Sequence, residues 1–143
     1  MTPTNILVPI VQTDASLDAV SVAALIAKQK KGRVYVAHVI EVSRALPLNA
    51  ELEGDARRGE QLIRRAEEIA SSAGYPVSGT LLQAREAGPA LCEEALDHDI
   101  DAIILGVDGN GDGKTAKYLL SNATCAVWVV RKSMRPSPEH HHE

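Results

Sequence analysis

The stretch "DAIILGVDGNGDGKT", Asp101 to Thr115, decides how this chain is read. Its first part is a short unbroken aliphatic run, which suits a strand buried on both faces. A polar, glycine-rich turn follows, and "TAKYLLSNA" then has the spacing of a short helix. A strand that passes through such a turn into a helix is where open α/β sheets bind their ligands, outside the carboxyl ends of the strands.

The flanking sequence repeats the alternation. "NILVPI" (Asn5 to Ile10) is a second buried run, and Thr13 or Asp14 caps the helix after it. Leu17, Val20, Ala24 and Ala27 hold one face of that helix, which closes in "KQKKG" with Gly32 just past its end. "RVYVAHVIEV" is a further strand. After the loop "SRALPLNAELEG", a highly charged helix runs from about Glu51 to Ala73. Leu52, Ala56, Ile63, Ala66 and Ala70 form its inner stripe, while Arg57, Arg58, Arg64, Arg65, Glu67 and Glu68 lie mostly outside as a solvated face. "VSGTLLQA" is a weaker strand, "AGPALCEEALDHD" a helix with Pro89 near its first turn, and "CAVWVVR" a last strand. The order β-α-β-α-β-α-β-α-β predicts an α/β fold. It is a single doubly wound five-stranded parallel sheet, Rossmann-like, with helices on both faces and right-handed crossovers.

At 143 residues, residues 1–132 make one domain, and residues 133–143 are expected to be a disordered tail. The histidines of that tail suit either an added tag or a loose native end. Aromatics are only 3% and Phe is absent, so the core must be aliphatic. A net charge of −4 excludes a broad nucleic-acid surface, which needs a concentrated basic field. Cys92 and Cys125 match no metal or redox spacing and read as reduced core residues. With no signal segment and no membrane-length apolar run, the expected location is cytoplasmic, without membrane insertion.

The loop itself admits several readings. A Walker-type phosphate loop requires glycine where Asp108 stands, and a carboxylate there repels phosphate. A calcium loop would use Asp108, Asn110 and Asp112 at alternate positions with Gly113 at the sharp turn, but its bidentate Glu is replaced by Leu119. A remodelled anion site would use backbone N–H groups at Gly111 and Gly113, the positive end of the following helix, Lys114 and Thr115. Asp108 and Asp112 oppose an anion there unless a divalent cation such as Mg²⁺ bridges them to phosphate. A tight turn without ligand stands beside these readings.

For catalysis the candidates are His38, His98, Cys92 and Cys125. His38 reads as a packed strand residue, His98 as a partner of a helix dipole, and neither has triad or ligand spacing. The chain is therefore expected not to be an enzyme. The last strand is apolar from Ala126 to Val130, and an unprotected edge of that kind invites pairing with another chain. A homodimer with Trp128 at the interface is the expectation; the alternative is that Trp128 fills the core of one subunit.

Taken in order, "NILVPI", "VYVAHVIEV", "AGPA", "DAIILG" and "CAVWVVR" resemble the universal stress protein family across Asn5 to Arg131. "AHVIEVSRALPLNAEL" and "LLQAREAGPA" are further similar to the stress-protein-like domains linked to amino-acid permeases. The resemblance implies strand order 3-2-1-4-5 and dimerisation through the last strand. It also implies an adenosine site made by a Val-Pro-x-Asp stretch after the first strand and by backbone groups around Val39. In the family, phosphates are held by Gly-x2-Gly-x9-Gly-Ser/Thr after the fourth strand. Here Ile10 and Val11 follow Pro9, with Val11 in the place of the Asp. Gly106 and Gly109 match the first two glycines, Gly113 arrives early as the third, and Lys114 stands where Ser or Thr is usual, with Thr115 next. A shortened loop suits AMP or cyclic AMP better than ATP. The expected function is a non-catalytic regulatory domain that senses a small ligand or docks on a partner such as a transporter. The alternatives are an ATP- or AMP-binding, Mg²⁺-dependent stress protein with at most slow hydrolysis, and a ligand-free interaction module.

Overall fold

The computed structural model describes residues 3–109 and 113–131. Its elements are β1 (Asn5–Pro9), α1 (Asp14–Gln29), β2 (Arg33–Glu41), α2 (Glu53–Ser72), β3 (Ser78–Ala84), α3 (Ala87–Asp97), β4 (Ala102–Val107), α4 (Gly113–Asn122) and β5 (Ala126–Arg131). All strands are parallel in the order β3-β2-β1-β4-β5, as expected. Asn110, Gly111, Asp112 and the tail lie outside the described residues.

Strand periodicity divides the core in two. Ile6, Val8, Val36 and Ile104 point to one face and pack under α1 and α2. Leu7, Ala37, Ile103 and Leu105 point to the other and pack under α3 and α4. The inner strands are buried on both sides, which is why they read as unbroken aliphatic runs rather than alternating ones. Each Ile, Leu or Val side chain taken from water contributes about 1.5–3 kcal/mol, so the scarcity of aromatics is no obstacle to a core of this size.

Local chemistry sets the element ends. Thr13 is the N-cap of α1, and its hydroxyl accepts from the Ser16 N–H at 3.2 Å. At the other end of α1 the left-handed residue is Lys31, with φ +53°, rather than Gly32. Gly32 lies against the Thr4 carbonyl, where a side chain would collide. In α2 the buried residues are Gly59, Leu62, Ala66 and Ala70. Leu52, Ala56 and Ile63 lie on the flank, half-buried. The stripe is rotated from the expected one because Gly59, with no side chain, lets the helix settle onto His38 and Leu81.

The edge of the sheet where β1 begins is fastened by Asp101. Its carboxylate accepts from the Asn5 N–H at 2.8 Å and the Thr4 N–H at 2.9 Å, while its own N–H donates to the Asn5 carbonyl at 2.8 Å. At the opposite edge the strands end unevenly. β1 stops at Pro9, whereas β2, paired with it through Ala37, continues to Glu41. That inequality of length opens the site.

Candidate functional site

The β1–α1 loop is tied down from beneath. The Val11 N–H donates to Ser16 Oγ at 2.8 Å, and Ser16 is buried, a polar side chain spent on holding this turn. Ile10 is buried, and its carbonyl lies 2.9 Å from His38 Nδ1. A carbonyl only accepts, so Nδ1 carries a hydrogen and donates to it. Val11 points outward, 42% exposed. Gly106, near the end of β4, is buried beneath the first turn of α1, where a Cβ would sit on the Ala15 carbonyl. Its absent side chain lets α1 rest directly on β4 at the point where the strand order reverses.

Two adjoining cavities open above this junction. The larger, about 670 Å³, lies between the β1–α1 turn (Gln12, Thr13, Asp14), the α2 residues Arg58 and Arg65, and Asp108. The smaller, about 240 Å³, is bounded by His38, Val39, Glu41 and Asp55. Gln12, Arg58 and Leu62 line both, so the two form one cleft along α2. Arg58 is ion-paired with Asp55.

Backbone parity supplies the chemistry at the smaller end. In a parallel ladder the N–H and C=O of one residue point to the same neighbouring strand, and those of the next residue to the other. The Ala37 carbonyl faces β1 and accepts from the Ile10 N–H at 2.9 Å. Val39, two residues on, therefore presents its N–H and C=O in the same direction, past the end of β1 and beside the cleft. Its side chain packs into the opposite cluster, under α3 and α4. A paired donor and acceptor on a rigid strand is thus left unused by the sheet.

Not every sequence-level candidate gathers there. Lys114 and Thr115 open into a separate groove of about 300 Å³ between α3 and α4, with Gly88, Tyr118 and Glu86. In that groove the positive end of α3 is already engaged, because the Glu41 carboxylate accepts from the Ala87 N–H at 2.8 Å. Gly109 has φ +85° and open space around it, and Gly113 is exposed. Of the proposed calcium set only Asp108 is among the described residues. Among those residues no group of three or more His, Cys, Asp or Glu side chains converges. His98 caps the end of α3, bonds Glu94 Oε2 at 3.1 Å and stacks on Tyr35 at 4.6 Å between ring centroids. Burial pushes the thiols of Cys92 and Cys125 up, so neither is a ready nucleophile at neutral pH. The residues that sequence reading overlooked are Gln12, Arg58 and Arg65. The available signal was the seven-residue spacing of the two arginines around Leu62, which places all three on one helical face.

Among the described residues no helix is long and apolar enough to cross a membrane. Universal stress protein MJ0531 of Methanocaldococcus jannaschii is 27% identical over 140 residues, covering 90% of this chain and 82% of that protein. UspA of Lactobacillus plantarum superposes with a TM-score of 0.75 at 27% identity, covering 90% of this chain and 97% of that one. The universal stress protein of Archaeoglobus fulgidus in complex with dAMP gives 0.75 at 20% identity, covering 91% and 99%. The model of the universal stress protein family matches residues 3–131, from the first described residue to the end of β5. With its sheet order and its reversal point between β1 and β4, this chain belongs to the universal stress protein family.

Proposed function

We propose that this chain is a non-catalytic regulatory domain that binds an adenine nucleotide carrying few phosphates, with the base against Val39. The observation that carries this reading is the unused N–H and C=O pair of Val39 at the mouth of the cleft. Adenine offers the matching edge, an amino donor beside a ring-nitrogen acceptor. The related protein of Archaeoglobus fulgidus was solved with dAMP, a nucleoside monophosphate. Few phosphates are favoured because the loop after β4 has three residues between Gly109 and Gly113. Asp108 on the cleft wall is the described carboxylate that would meet a Mg²⁺ accompanying the phosphate.

The output of such a domain is docking, on itself and on a partner such as a transporter. The loop after β2, the stretch similar to permease-linked domains, is held as a fixed shape. Arg85 donates to the carbonyls of Ser43 at 2.6 Å and Leu46 at 2.9 Å, and Gln83 to those of Leu48 at 3.0 Å and Ala50 at 3.1 Å. Ordered in this way, it exposes Leu46 and Leu48. The β5 edge exposes Trp128 and Val129 for a homodimer.

A thermal-shift series with AMP, cyclic AMP and ATP, each with and without Mg²⁺, tests the reading. A ligand at a hundred times its dissociation constant stabilises by about 2.7 kcal/mol. AMP is expected to raise the midpoint more than ATP, with no phosphate released from ATP in a parallel assay. An unchanged midpoint with every nucleotide sinks the proposal.

A further inference from the structure

We infer that the anionic end of the ligand is held from α2, by the guanidinium groups of Arg58 and Arg65. The inference rests on the nucleotide reading of the cleft and assigns its phosphate-binding residues. Arg58 and Arg65 line the same 670 Å³ cavity, across from Thr13 and Asp108. Seven residues apart on a helix, they are separated by about 10 Å along its axis, a span that two arginine side chains close from either side. Arg58 also lines the smaller cavity, so it stands at the junction between the Val39 end and the larger space. A base hydrogen-bonded to Val39 would project its ribose and phosphate toward that junction.

Lys114, at the start of α4, does not compete, since it opens onto the α3–α4 groove on the far face of the sheet. Arginine is also the better chemical match, because its planar fork meets two phosphate oxygens at once. Recruiting Arg58 costs little. Its present partner is Asp55, and both side chains are largely exposed, at 63% and 45%, in a class of pair worth little in water. Arg65 has no ion pair or hydrogen bond among the described residues. Asp14 and Asp108 oppose an anion from the other wall. They favour a ligand with few phosphates, whose charge stays close to α2 or is shared with a divalent cation.

α2 supplies its own control. Arg57 and Arg64 belong to the same helix and carry the same charge, yet line neither cavity. Calorimetric titration of AMP, adenosine and pyrophosphate into wild type, R58Q/R65Q and R57Q/R64Q separates the possibilities. Circular dichroism melts verify that both variants fold. R58Q/R65Q is expected to weaken AMP by about tenfold for each guanidinium lost, to leave adenosine within about twofold of wild type, and to abolish pyrophosphate binding. R57Q/R64Q should change none of these. AMP affinity unchanged in R58Q/R65Q, or lost equally in R57Q/R64Q, overturns the inference while the nucleotide reading stands. If wild type binds neither adenosine nor AMP, the nucleotide reading falls. Pyrophosphate binding that still requires Arg58 and Arg65 then upholds the clamp, and its absence overturns the clamp as well.

Discussion

Gly106 shows how much a single missing side chain determines. It is buried near the end of β4, and a methyl group there would meet the backbone of Ala15 and Ser16, not a side chain able to swing aside. Gly106→Ala is therefore expected to lower stability by about 2–3 kcal/mol, read from urea unfolding. Gly109→Ala has open space but an unfavourable φ, and is expected to cost about 1 kcal/mol. Asp101 makes a prediction in pH. The N–H groups of Asn5 and then Thr4 hold its carboxyl below the ordinary value of 3.8. The folded state thus binds this proton less tightly than the unfolded chain. The contribution is complete above pH 3.8 and is lost as pH falls through the lower folded value. Asp101→Asn is expected to cost about 1 kcal/mol at neutral pH, at the low end for charge-assisted bonds because the group is partly open to water. It should also flatten the acid limb of the stability curve. At Val11 the side chain already points to solvent, so Val11→Asp should fold normally. If the added carboxylate accepts from a ribose hydroxyl, it should tighten adenosine binding by roughly tenfold.

At the scale of elements, the legible and the illegible parts of the sequence divide cleanly. "NILVPI" and "DAIILG" could be read as buried parallel strands because burial on both faces removes polar residues from the run, a local signature. The cap of α1 was legible to within one residue, Thr13 or Asp14, for the same reason, since a cap bonds within its own turn, and the structure uses Thr13. The buried face of α2 was legible only approximately, because its true contacts, Gly59 against His38 and Leu81, depend on a strand beyond the helix itself. The place of the cleft was legible, at the carboxyl ends of the strands beside Val39 and Gly106, but its walls were not. It arises because β1 ends at Pro9 while β2 runs on to Glu41, and because α2 then brings Arg58 and Arg65 over the gap. The first fact is not written in the spacing of any one segment, and the spacing of the arginines shows a shared helical face but not what lies beneath it. Gly59→Val should lift α2 from β2, with an expected cost of about 3 kcal/mol and weaker nucleotide binding through the displaced arginines. A variant that keeps wild-type stability would contradict this packing account.

For the whole molecule, the two faces of the sheet carry different offices. The α1–α2 face, with the Val39 edge and the arginines, is the ligand side in this account. The α3–α4 face closes its own helix terminus with Glu41 and needs no anion there. β5 leaves Trp128 and Val129 exposed at the sheet's edge. The full chain is expected to run as a dimer in light scattering, and Trp128→Lys should yield a folded monomer. A monomeric wild type would remove β5 as an interface without touching the ligand site. Calorimetric comparison of AMP with IMP tests most directly whether the backbone edge of Val39 reads adenine. IMP keeps the ribose and phosphate but reverses both hydrogen-bonding groups of the base edge. One AMP per chain is expected, with IMP weaker by at least about tenfold because both backbone groups of Val39 would face like groups. Equal affinities for the two nucleotides, or no AMP binding by the folded protein, would contradict that role of Val39.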